Sequence, residues 1–164
     1  GTDGQVFTSS GAGAGAVFEA AAGGGKILQI QSATLTSTFV TNDDSSFVDV
    51  GLEDDITPAS TSNKIFVYLY SGGMGRDAYV GECGRIKILR DGSDNFGGEN
   101  TFYTNTYSGN YSGLQATFAY IDEPSSTSAL TYKVQMQCRL GNNVSFADGA
   151  PNAPATLILW EIEG

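Results

Sequence analysis

Histidine is absent from the 164 residues. Its absence removes the side chain most often used as a general base near neutral pH, the commonest nitrogen ligand for zinc, and every Ser-His-Asp or Cys-His arrangement. No GxSxG, phosphate-binding loop or dinucleotide fingerprint takes its place. The GAGAGA run at 11–16 is glycine-rich, but no strand–turn–helix pattern surrounds it. Cysteine occurs only at Cys83 and Cys138, too few for a disulfide framework and not at metal spacing. Cys138 falls on an apolar strand face and reads as a small core residue; a Cys83–Cys138 bridge is the other reading.

Positive charge is scarce. Basic residues number 8 against 18 acidic ones, for a net charge of −10. A surface this acidic repels phosphate backbones and anionic headgroups, so neither nucleic acid nor a membrane surface is an expected partner. No apolar run approaches the ~18 residues that would span a bilayer. The opening GTDGQVFTSS has neither a basic n-region nor an apolar h-region, so no secretory leader is expected in it. Its first residue is Gly1 rather than Met, as expected of a fragment or processed product. Charged residues make up only 16% of the chain. Its polar surface must therefore be mainly Ser, Thr, Asn, Gln and Gly, a composition suited to an all-β protein with many turns.

What the sequence does have is alternation. Leu130, Tyr132, Val134, Met136 and Cys138 share one parity, and Thr131, Lys133, Gln135, Gln137 and Arg139 the other. A period of two sustained this long marks a strand with one buried and one wetted face. Gln115–Ile121 reads as the preceding strand, so that Gln115–Leu140 forms strand, turn and strand. Lys26–Ser37, Ser46–Thr57 (bent, with a bulge at Gly51) and Ala78–Arg90 read as further β-structure, and Gly141–Phe146 turns the chain back through Val144 and Phe146. Lys64–Tyr70 and Ala155–Ile162 are apolar at both parities, which demands cover on both faces. An antiparallel sandwich supplies one cover; the other is expected from a neighbouring subunit. About eight strands, separated by Ser/Pro/Asn/Gly turns, predict an all-β antiparallel β-sandwich of jelly-roll type over 26–164. An immunoglobulin-like sandwich is the alternative, although Trp160 follows both cysteines instead of lying between them. Residues 1–25 form a Gly/Ala-rich N-terminal stem or linker, in which Gln5–Ser9 and Val17–Glu19 are candidate short strands and Ala14–Ala22 a candidate helical turn.

Residues 92–113 contain no aliphatic side chain and read as one long loop. Phe102, Tyr103, Tyr107 and Tyr111 are interleaved there with Asn105, Asn110 and other Asn, Ser and Gly residues. Such loops suit adaptable recognition, since the rings offer contact area at low entropy cost and the small polar residues hydrogen-bond. The candidate receptor- or glycan-binding set is therefore Phe102, Tyr103, Asn105, Tyr107, Asn110 and Tyr111. Packing of the same rings on the sandwich or on a neighbouring subunit is the competing reading. Among the acids, Asp122-Glu123 is the one pair a glycosidase could use, but turn chemistry before Pro124 is the favoured reading of it. Asp43-Asp44, Asp54-Asp55 and Asp91–Asp94 lack calcium-loop spacing and read as solvated turn charge. Neither a metal nor an organic cofactor is expected, and no catalytic residue.

DGQVFTSSGAGAGAVFEAAAGGGKILQIQSATLT resembles the junction of tail-fibre and related virion proteins of marine and cyanobacterial phages, where a DGQVL-S-GAG motif and an Ala/Gly linker precede a K-ILQ strand. FVDVGLEDDITPASTSNKIFVYLY, IKILRDGS and FAYIDEPSSTSALTYKVQ look like later elements of the same proteins. The similarity covers most of the chain and departs at 92–113 and at the two cysteines. It implies a non-enzymatic virion structural protein at the particle surface, either a homotrimeric fibre tip or a capsid-attached knob. The implied partners are the chain itself as homotrimer, other virion proteins through the N-terminal stem, and a host-surface glycan. An extracellular carbohydrate-binding module is the alternative, and a small glycosidase a more distant one.

Overall fold

Alternation becomes strand among the described residues. A computed structural model describes residues 5–8, 12–13, 15–20, 26–76, 81–93, 100–104, 115–138, 143–148 and 153–164. The strands among them are β1 (Gln5–Thr8), β2 (Val17–Ala20), β3 (Ile27–Leu35), β4 (Phe39–Thr41), β5 (Val48–Ile56), β6 (Lys64–Tyr70), β7 (Met74–Arg76), β8 (Gly81–Arg90), β9 (Asn100–Thr104), β10 (Thr117–Asp122), β11 (Leu130–Cys138), β12 (Val144–Phe146) and β13 (Ala155–Ile162). No described residue is helical.

Eight of these strands make two antiparallel four-stranded sheets, ordered β10-β6-β13-β3 and β5-β11-β8-β9. Numbered by their order among those eight, the first sheet runs 6-3-8-1 and the second 2-7-4-5. That is the double Greek key of a jelly roll, the fold that the strand count predicts. The inward parity of each strand supplies the core. Ile65, Val67, Leu69, Leu157 and Leu159 from the first sheet meet Leu52, Ile86, Tyr132, Val134 and Met136 from the second, all buried. Cys138 is buried on this same inner face. The side chain of Cys83 is outside the described residues, and so is the question of a bridge.

Three short strands form a separate sheet, β4-β12-β7. Each lies in a connection that crosses between the two large sheets, and all three close the same end of the sandwich. Met74, Val144 and Phe146 extend the core beneath this cap. The backbone is tight here. A Cβ on Gly73 would stand 1.3 Å from the carbonyl oxygen of Asp148, so only glycine fits. At the other end the chain enters β3, with Ile27 opposite Ile162 and Ile162 opposite Lys64. The sandwich thus has a stem end, where residue 26 enters, and a capped end.

Four expectations are tested, sharpened or corrected. The bulge at Gly51 is present: β5 slips its register against β11 between Lys133 and Gln135, and Gly51 has a φ of +80°. β10 and β11 do not form a hairpin with each other. β10 pairs with β6 and β11 with β5 and β8, so the two strands lie in opposite sheets. Their connector contains Pro124 and lacks the two-residue turn that would fold one strand directly onto the next, so it arches across the sandwich instead. Finally, the stretch read as one loop contains strand β9, since the β-prone residues Thr101, Phe102, Tyr103 and Thr104 extend the second sheet along β8. In the stem, Val17–Ala20 is strand rather than helical turn.

Candidate functional site

The aromatic set flagged in the sequence is only partly described. Phe102 and Tyr103 belong to β9, opposite Gly84 and Glu82, with their side chains outside the described residues. Asn105, Tyr107, Asn110 and Tyr111 lie outside the described residues altogether. The flanks of this connection are nonetheless fixed. Thr104 pairs with Gly81, and Ala116 exchanges hydrogen bonds with Ser71, whose hydroxyl oxygen accepts the Ala116 N–H at 2.9 Å. Both flanks are at the capped end, the pole opposite the stem.

Several of the acids noted in the sequence are separately engaged, and Asp94 lies outside the described residues. Asp122 and Glu123 point to opposite sides. Asp122 turns inward, ion-paired with the Arg90 guanidinium and accepting the Tyr132 hydroxyl at 2.6 Å. This trio ties the first sheet to the second at the stem end. Burial pushes the Tyr132 phenol well above the ordinary tyrosine range, and the neighbouring Asp122 carboxylate pushes it further. Glu123 faces solvent and pairs with Lys64 at 2.6 Å. Asp43 accepts the hydroxyls and backbone N–H groups of Ser45 and Ser46 at 2.8–2.9 Å, which holds its carboxyl far below the usual range and shapes the turn before β5. Asp55 accepts the Thr131 hydroxyl, and Asp91 the Thr131 N–H.

A further carboxylate is built into the stem end. Glu161 lies on the inward parity of β13 and is 1% exposed. It accepts three hydrogen bonds at 2.6 Å, from the side-chain amides of Gln29 and Asn63 and from the Ala59 N–H. Burial pushes its carboxyl up, but the donors from Asn63, Gln29 and Ala59 outweigh that and hold it below the ordinary Glu range. The carboxylate thereby pins the turn between β5 and β6 to the edge strand β3.

The two outer faces of the sandwich differ in kind. On the second sheet the outer face is charged, with Asp49, Glu53 and Asp55 of β5 beside Lys133 of β11 and Arg85 and Lys87 of β8. Lys133 pairs with Asp49 at 3.1 Å, and the Lys87 ammonium sits 4.3 Å from the centre of the Phe47 ring. The first sheet presents apolar rows instead. Cross-strand register aligns Ile121, Phe66, Trp160 and Ile30 in one row across four strands. Next to it, toward the stem end, lie Ile162 and Ile27; toward the capped end lie Ala119, Tyr68, Ile158 and Ser32, then Thr117, Tyr70, Thr156 and Thr34. Phe66 and Trp160 stack with centroids 5.2 Å apart. Ile30 is 56% and Ile121 52% exposed. The face grades from apolar at the stem end to hydroxyl-bearing at the capped end.

The hairpin β1–β2 is the second apolar surface. Phe7 stands opposite Phe18, with ring centroids 5.0 Å apart, and the Thr8 hydroxyl donates to Glu19 at 3.0 Å on the reverse face. Phe7 is 65% and Phe18 53% exposed, and Val6 and Val17 are also exposed. The doubly apolar pattern of β6 and β13 announced the outer sheet face in the sequence. Ile30 and Ile121 gave no such signal, because their alignment with Phe66 and Trp160 depends on strand order. Glu161 could have been found as an acid at the inward parity of a strand whose other inward residues are aliphatic.

No family model matches the chain, and no curated protein matches it. Among solved structures, it is similar to the VP2 protein of infectious bursal disease virus. Against the VP2 subviral particle the TM-score is 0.42 at 9% identity, covering 98% of this chain and 42% of that one. Against the structure of the Gx strain of infectious bursal disease virus the TM-score is 0.38 at 11% identity, covering 96% and 42%. This chain spans about two-fifths of the length of those proteins. The jelly-roll assignment rests on the strand order itself.

Proposed function

We propose that this chain is a structural module of a virus particle, a homotrimeric fibre tip or capsid-attached knob whose subunits meet through the outer face of the β10-β6-β13-β3 sheet. The observation that carries the reading is the row Ile121, Phe66, Trp160 and Ile30, which presents exposed aliphatic side chains and a stacked aromatic pair on one face of an otherwise acidic domain. A patch of this kind on a chain of net charge −10 marks a surface made to be covered. The sequence resemblance to phage tail-fibre and related virion proteins supports the particle setting. The jelly roll itself serves viral capsids and lectins alike, so it supports that setting only by analogy. Entry of residue 26 at one pole, with Thr104 and Ala116, the described flanks of the segment bearing Asn105, Tyr107, Asn110 and Tyr111, at the other, suits a module that attaches to the particle at its base and meets the host surface at its tip.

Light scattering on the full chain tests the reading. The expected mass is three times the chain's 17.1 kDa, falling to that of one chain when Ile30 and Ile121 are both replaced by Asp. A monomeric parent protein would refute it. One observation favours a second reading, an extracellular carbohydrate-binding module. Phe66, Trp160 and Tyr68 form a ring cluster on an open sheet, beside hydroxyls of Thr156 and Thr34. A monomer that binds soluble glycans, and loses them on Trp160→Ala, would establish that reading in place of the first.

A further inference from the structure

Two apolar surfaces on this chain lack cover, and they belong to the same end of the molecule. The apolar rows of the outer face, Ile121 to Ile30 and Ile162 to Ile27, are the rows nearest the stem end. The hairpin β1–β2 joins that end through residues 21–26, which lead directly into Ile27. Six residues reach at most about 20 Å, so the near end of the hairpin stays within that distance of Ile27, where the apolar rows begin. Within one chain the two surfaces leave each other uncovered, since Phe7 and Phe18 on one and Ile30 and Ile121 on the other are all more than half exposed. A two-stranded hairpin is marginal in water without a third layer, so it too needs a partner.

We propose that the hairpin of one copy seats its Phe7–Phe18 face on the Phe66–Trp160 rows of a second copy. This rests on the reading that the outer face joins subunits, and specifies what covers it. Dimensions agree. Four strands at ~4.8 Å spacing make the rows about 19 Å wide, and a four-residue strand is about 13 Å long, so one hairpin lies across two rows. Electrostatics agree as well. The acids of β5 are on the opposite outer face, and the acceptor rows carry charge only at the Lys64–Glu123 pair on their rim, so two copies of net charge −10 can approach here. A hairpin-to-sheet contact joins unlike surfaces, and such contacts close into rings when the rotation allows, which a threefold assembly requires.

Trp160 is the only tryptophan in the chain and sits in the acceptor row, so its fluorescence reports cover directly. The test compares the full chain with its Phe7→Ser/Phe18→Ser variant by acrylamide quenching and light scattering. The parent is expected to be an oligomer with a shielded Trp160. The variant should keep its circular dichroism, show a severalfold rise in quenching, and dissociate at a concentration higher by at least about a hundredfold, since each buried Phe lost weakens association tenfold or more. Ile30→Ser, on the receiving surface, should shift both readouts in the same direction. An oligomeric variant with Trp160 still shielded would overturn the hairpin contact while leaving the assembly reading intact, because sheets would then pack directly on each other. A monomeric parent with exposed Trp160 would defeat both. A monomeric parent whose shielded Trp160 is released by the variant would place the hairpin on its own sheet, and overturn the exchange.

Discussion

Replacing Glu161 by Gln should unsettle the stem end without changing the fold. Three donors converge on this carboxylate at 2.6 Å, and the residue is 1% exposed. Hydrogen bonds to a charged group contribute about 1.5–3 kcal/mol each, and burial of the charge costs several kcal/mol in return. A glutamine amide keeps one acceptor oxygen but turns its NH2 toward at least one of the same donors. The net loss is then about 2–4 kcal/mol, or a fall in Tm of roughly 5–15 °C for a domain of this size. Urea unfolding followed by circular dichroism measures it. The pH dependence fixes the cause. The folded Glu161 carboxyl titrates below its unfolded value, so its contribution is complete above the unfolded pKa of about 4.3 and is lost as pH falls through the lower folded value. The gap between parent and variant should therefore be full at neutral pH and narrow on acidification through that window. A variant within about 0.5 kcal/mol of the parent at pH 7, or a gap independent of pH, would show that the three contacts do not hold the charge as described.

Other expectations are simpler to state. Asp122→Asn should cost about 2–4 kcal/mol, because it removes the charge paired with the partly buried Arg90, whereas Tyr132→Phe should cost about 1–1.5 kcal/mol for the loss of its hydroxyl; equal losses in denaturant unfolding would contradict the ion-paired geometry. Gly51→Ala should cost about 1–2 kcal/mol, from positive φ alone, as nothing stands within 4 Å of the added methyl. Gly73→Ala should cost more than about 3 kcal/mol, since its Cβ would collide with the Asp148 backbone; thermal melts of the pair should separate the two causes. Leu159→Ala, wholly buried between the sheets, should lose about 2–5 kcal/mol by the same measurement.

The core was legible because each inward residue declares itself by parity. Leu130, Tyr132, Val134, Met136 and Cys138 all turn inward as their spacing required. The bulge at Gly51 was legible for a related reason, as glycine interrupts an otherwise regular alternation. Strand partners were not. Nothing local in Ala116–Ile121 says that its neighbour is Lys64–Tyr70 rather than the strand that follows it, since that choice is settled by sheet closure far along the chain. The stem-end carboxylate networks were hidden for the same reason. Glu161 meets Gln29, Ala59 and Asn63 only after three separate segments have been brought together. The aromatic loop drew the eye by composition, while the apolar row on the outer sheet face is a property of register, visible only once Ile121 and Ile30 are set beside Phe66 and Trp160.

The pole-to-pole arrangement has a mechanical consequence. β3 starts at the stem end and runs to the capped end, paired with β13 from Ile27–Ile162 to Leu35–Ala155. A pull on the stem, resisted at the far pole, acts along β3 and tries to slide it past β13. The ladder bonds between them are then strained side by side and must yield together. In a strand pulled off sideways they would open one after another. A load applied between the two poles would thus meet the domain in its stiff direction, with Gln29 clamped to Glu161 just inside the point where the load enters.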